Sequence, residues 1–153
     1  MIQLKQNHLL GNGFQNVVFL SLKDREFTPG SNLSWLIVFT NDYSKVEKSC
    51  IIQNTEEGIV AVDDKYAVKI TERSNLPTVD NTKGEIKLSP AGSFSYEIYQ
   101  QDSTTNLDKT NAAVQGLVER GKTYLSHNDV DTPEVQYTQY DDTDNDTNYI
   151  YVK

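Results

Sequence analysis

The residues able to do chemistry are few and scattered. His8 and His127 are the only histidines, and Cys50 is the only cysteine. A structural zinc site gathers Cys and His ligands at short spacings, and neither histidine has such company. The run Ser126-His127-Asn128-Asp129 holds the residue types of a nucleophile, a base and an orienting group. A catalytic triad is a geometry, so four adjacent residues of suitable type read instead as a surface loop. Asp142, Asp144 and Asp146 repeat at i, i+2 and i+4, the spacing of the first half of a calcium loop. Thr147 stands where that loop needs glycine, and no glutamate occupies its closing position. The other reading of these carboxylates is a solvated acidic linker. No glycine-rich phosphate loop and no nucleophile elbow occurs. The sequence therefore offers no catalytic residue, no enzyme activity and no cofactor, and no metal set beyond the calcium candidate.

Short strands must position any site this chain has. Ile2 and Leu4 alternate with Gln3 and Lys5, and residues 16–22 read NVVFLSL. β-branched and aromatic residues in such runs favour the pleated sheet. Residues 33–40, LSWLIVFT, form the most apolar run. On a strand Leu33, Trp35, Ile37 and Phe39 share one face, and Leu36 and Val38 share the other. Two apolar faces mean that both are covered at least in part, and Trp35 is expected as a core anchor. Residues 47–53 return as a hairpin partner, 59–62 form a strand or a packed loop, and 66–71 alternate again. Residues 74–83 hold Leu76-Pro77 and read as a crossing loop.

The unit at 84–126 organises the rest. Phe94, Tyr96 and Ile98 fall at every second position, with Ser95 and Glu97 between them. A polar loop at 102–111 follows, either a recognition loop or an ordinary hairpin connection. Leu117, Val118, Tyr124 and Leu125 supply the returning strand, with Gly121 as a bulge or a point of close approach. The expected fold class is all-β, an antiparallel immunoglobulin-like β-sandwich of about seven to nine strands without its disulfide. Residues 1–127 make the sandwich domain. Residues 128–153 are an acidic linker and C-terminal strand, packing on the same domain or on a neighbouring subunit. Between 128 and 146 lie Asp129, Asp131, Glu134, Asp141, Asp142, Asp144 and Asp146, and no basic residue.

The chain has 153 residues and a formal net charge of −8. That charge repels nucleic-acid phosphate and anionic membrane surfaces, so neither is expected as a partner. Cys50 lies in the apolar run Cys50-Ile51-Ile52 and is expected to be a buried, inert thiol. The N-terminus lacks the long apolar region of a signal peptide, and no run approaches a membrane span.

The segment GEIKLSPAGSFSYEIYQQDSTTNLD, followed by GLVERGKTYL, resembles a family of small virion-associated proteins. These are encoded by tailed phages of Bacteroidota, including crAss-like phages. WLIVFTNDYSKVEKSCIIQN is similar to the family's first hairpin, and VQYTQYDDTDNDTNYIYVK to its closing tyrosine-rich segment. Phe94 stands where the family pattern has Tyr, and the linker before the last strand is unusually acidic. The resemblance implies an immunoglobulin-like module of the virion and supplies no catalytic residue. It implies an auxiliary or decoration protein on the capsid, assembled in the bacterial host cytoplasm. Its partners are then the major capsid protein or other virion proteins, with self-association as a further option. The alternatives are a tail, neck or baseplate component, or a host-surface adhesin binding glycans through exposed Tyr and Trp35. Asn106 and Leu107 in the polar loop, and Tyr149, Ile150, Tyr151 and Val152 at the C-terminus, are the interface candidates. Deleting residues 148–153 should reduce incorporation into particles, and undiminished incorporation would count against strand addition by this end. Millimolar calcium should raise the melting temperature if Asp142, Asp144 and Asp146 bind it, and an unmoved transition would end that idea.

Overall fold

The computed structural model describes residues 1–6, 14–22, 34–53, 59–62, 65–73 and 78–127. The residues described form strands β1 (Ile2–Gln6), β2 (Phe14–Leu20), β3 (Ser34–Asn41), β4 (Glu47–Gln53), β5 (Ile59–Val62), β6 (Lys65–Glu72), β7 (Glu85–Ile86), β8 (Gly92–Gln101) and β9 (Val114–His127). One sheet has five strands in the order β1-β9-β8-β3-β4. The other has the order β2-β6-β5, with β7 also paired to β6. This is an all-β sandwich with immunoglobulin-like strand order, as the alternation and turn spacing predict.

The inner faces make the core. Leu4, Ile37, Phe39, Cys50, Phe94, Ile98 and Leu125 of the large sheet meet Val18, Leu20, Val68 and Ile70 of the small one. Trp35 is 1% exposed and anchors one end. Its ring lies 6.4 Å from that of Tyr66, tilted by 46°. Burying each such large side chain contributes roughly 1.5–3 kcal/mol. Cys50 is fully buried, and burial pushes its thiol up to about 12, so it is inert at neutral pH.

Gly121 is a point of close approach. A Cβ there would lie 2.7 Å from the Tyr96 hydroxyl, so the missing side chain makes room for that ring. The irregularities of the β8–β9 ladder fall elsewhere, at the Ile98/Tyr99 and Gln100/Gln101 steps, where Val118 and Gln115 are the extra residues.

Three details depart from expectation. The β1–β9 and β6–β7 pairings are parallel. No tight hairpin joins these strands in sequence, so nothing imposes the antiparallel sense on them. The second strand runs from 14 to 20 rather than from 16 to 22. Ser126 and His127, expected in a surface loop, are the last residues of β9, paired with Lys5 and Gln6 of β1.

Both open edges of the sandwich are stitched. At one, the Asn16 side chain on β2 accepts from Lys5 N at 2.7 Å and donates to Lys5 O at 3.1 Å. A side-chain amide thus takes the place of a neighbouring strand for β1. At the other, Gly84 N donates to Ile51 O of β4 at 2.7 Å, while Gly84 O accepts from Thr71 N of β6 at 2.9 Å. One residue therefore bonds to both sheets. Gly84 holds φ at +72°, and a Cβ would meet Lys69 O at 3.0 Å. The 3-10 turn Asn81–Lys83 before it lies along the same edge. Asn81 donates to Ser49 O, and Thr82 O accepts from the Gln53 amide. The crossing loop expected at 74–83 thus becomes, over its described part, a seal on β4.

Asn16→Ala leaves an N–H and a C=O of Lys5 without partners. It should lower unfolding free energy by about 1–3 kcal/mol in urea titrations. Gly84→Ala forces a side chain into the left-handed region and should cost at least about 1 kcal/mol. A Gly84→Ala variant with unchanged stability would show that the stitch is dispensable.

Candidate protein-interaction surfaces

The outer face of the large sheet is apolar at its centre and is closed by its own loop. Leu36, Val38 and Ile51 are buried there, with Tyr99 and Val114 packed against them. Cross-strand register places Leu36 between Tyr99 and Ile51, and Val38 between Glu97 and Ser49. Residues 102–113 leave β8 next to Ser34 and fold back over this face. Lys109 Nζ donates to Glu47 of β4 at 2.7 Å and to Glu97 of β8 at 3.4 Å. Strand β3 lies between those two carboxylates, so the lysine spans it. Tyr99 completes the cluster by donating its hydroxyl to Glu97 at 2.9 Å.

The loop is held internally as well. Gln101 and Asn106 exchange amide bonds, Gln101 Nε2 to Asn106 O at 3.1 Å and Asn106 Nδ2 to Gln101 Oε1 at 2.9 Å. Asp108 Oδ1 accepts from the amide and hydroxyl of Thr110, which keeps its carboxyl below the usual range. The two interface candidates in this loop therefore differ. Asn106 is engaged in holding the loop's shape, whereas Leu107 is 38% exposed at its tip. The loop is the connection of the β8–β9 hairpin, one of the two readings of the sequence, and it also covers the apolar second face of β3.

The outer face of the small sheet has no such cover among the described residues. Val17 and Phe19 alternate with buried Asn16, Val18 and Leu20, and are 54% and 59% exposed. They sit opposite Lys69 and Ala67 in the β2–β6 register. The outward positions of these two strands are Gln15, Val17 and Phe19, then Lys65, Ala67, Lys69 and Thr71. None is a carboxylate, on a chain whose net charge is −8.

A third exposed feature is the β3–β4 turn. Tyr43 is 95% exposed there. Asn41 Oδ1 accepts from the amides of Tyr43 and Ser44, and Lys45 takes φ of +61°. Asp42 accepts from Lys122 Nζ and Ser95 Oγ, each at 2.8 Å, and these bonds hold its carboxyl below the usual range.

Asp142, Asp144, Asp146, Tyr149, Ile150, Tyr151 and Val152 lie outside the described residues, as do His8, Asn128 and Asp129. Ser126 Oγ donates to Leu4 O at 3.3 Å, which uses it to tie β9 to β1. Among the described residues no three His, Cys, Asp or Glu side chains are grouped to hold a metal ion. Val17, Phe19 and Tyr43 are not among the candidates that residue type and spacing nominate. The signal for the first two is the run Val17-Val18-Phe19-Leu20, apolar at successive positions and so apolar on both faces. No family model matches the chain, and neither a curated protein nor a solved structure matches it.

The Lys109 bridge is half exposed, so Lys109→Ala should cost no more than about 1 kcal/mol. It should nevertheless speed amide exchange across 102–113, because the loop loses its tie to β4. Glu47 chiefly raises the Lys109 pKa above 10.5, so its contribution is complete below that value and is lost as pH rises through the folded pKa. Tyr96 and Tyr99 are also raised, by burial first and then by Glu119 and Glu97 respectively. The fold favours their neutral forms, so their contributions vanish over the same alkaline range. Denaturation midpoints should hold from neutral pH to about pH 10 and fall beyond it. Tyr96→Phe should flatten part of that fall.

Proposed function

We propose that this protein is a structural component of a phage virion, an auxiliary protein decorating the capsid through contacts with the major capsid protein. The observation that carries the reading is the bare β2–β6 face. Large apolar side chains exposed side by side on a rigid sheet lose water favourably when a partner covers them. The resemblance in residues 84–125 gives the partner its context, and in the fold those residues are the β7–β8–β9 unit. A glycan-binding reading loses its tryptophan, because a side chain 1% exposed cannot stack on a sugar.

Quantitative mass spectrometry of purified particles tests the proposal. Hundreds of copies per particle support capsid decoration. Roughly a dozen, the number set by rotational symmetry of a tail or neck, move the protein there. Its absence from particles, with the protein abundant in infected cells, overturns the virion reading. Phe19→Ser should leave the melting temperature nearly unchanged and reduce incorporation several-fold.

A further inference from the structure

We infer that the bare β2–β6 face is a docking site for the 102–113 loop of a second copy of this chain, making a head-to-tail contact. The two surfaces are complementary in kind. The face offers Val17 and Phe19 beside Lys65 and Lys69, and the carboxylate that flanks it, Glu85 of β7 opposite Thr71, is ion-paired with Arg73. The loop offers Leu107, 38% exposed, next to exposed Asp108, with Asp102 exposed at its base. The loop's single lysine, Lys109, is turned back to Glu47 and Glu97 and so leaves the tip acidic. Apolar side chains beside lysines on one surface thus have a counterpart beside aspartates on another surface of the same chain.

The loop is also ordered in advance. The Gln101–Asn106 exchange, the Asp102 N to Ala113 O bond at 3.1 Å and the Lys109 bridge fix it before any encounter. Little conformational freedom remains to be lost on docking. The surfaces lie on opposite sheets, so the contact is heterologous. The pair keeps one free face and one free loop, so the assembly extends or closes into a ring, and only a terminal copy presents its face to another protein. A patch this small gives weak association in solution, which strengthens where copies are held side by side. The inference does not need the virion reading, because both surfaces belong to this chain.

Sedimentation velocity of the full chain, taken up to about 1 mM, should show species beyond the dimer. Association should weaken several-fold between low and high salt as the lysines and aspartates are screened. Phe19→Glu and Leu107→Lys should each be monomeric, with a melting temperature near wild type for Phe19, 59% exposed, and a modest drop for Leu107, 38% exposed. A one-to-one mixture of the two variants retains a single intact face and a single intact loop, and should form a dimer and nothing larger. A mixture that stays monomeric, or a wild type that is monomeric throughout, overturns the inference. So does association that disappears when residues 128–153 are removed, because the contact then belongs to the acidic C-terminal segment.

Discussion

The amide of Gly84 donates to one sheet while its carbonyl accepts from the other, 2.7 Å and 2.9 Å away. Everything else in the sandwich depends on this kind of closure. Two sheets packed face to face hold a core between them but leave their flanks open, with strand edges short of partners. Here each flank is closed by a different device. Gly84 closes the β4–β6 side with backbone, which demands a left-handed conformation and no Cβ. Asn16 closes the β1–β2 side with a side chain whose amide offers one donor and one acceptor, matching the paired groups of Lys5. Neither device adds much apolar burial. Both spare buried or part-buried polar groups the cost of going unpaired, which for a buried group exceeds the net worth of an ordinary hydrogen bond.

With the flanks closed, the outer faces decide what the molecule can touch. The large sheet carries apolar residues outward at Leu36, Val38 and Ile51, and it covers them with its own chain. The cover is polar and is held by charge, through Lys109 between Glu47 and Glu97. The small sheet carries Val17 and Phe19 outward, and nothing among the described residues covers them. The same chemistry is thus hidden on one side and presented on the other.

Much of this was legible in the sequence. The alternation of Phe94, Tyr96 and Ile98 fixed the inner face of β8, and Leu36 with Val38 announced a covered outer face on β3. Sandwich architecture follows from such periods because a strand's side chains have two directions to choose from. What covers an outer face is a long-range matter, and no local pattern reveals that Lys109 reaches a glutamate 62 residues away. The orientation of Asn16 is hidden for a related reason. A polar residue in an apolar run suggests an outward position, yet Asn16 faces inward because the neighbouring sheet's edge supplies its bonds. The parallel sense of β1 was hidden too, since strand direction is set by the distant β9 and not by any nearby turn.

Those long-range features are also the ones that bear on function. A site of catalysis gathers rare residue types, and their type and spacing alone can nominate them. An interaction surface is made of common residues, and what distinguishes it is placement. Phe19 in the core would be one more apolar residue. Exposed on the outer face of an acidic chain, beside Lys65 and Lys69, it marks a surface a partner of opposite charge can cover. Leu107 likewise gains meaning only once Lys109 is seen to turn away toward Glu47 and Glu97, leaving Asp108 as the charge next to it in sequence. The bond that closes the large sheet's outer face therefore also sets the charge that the loop presents, so the cover and the proposed docking rest on a single interaction.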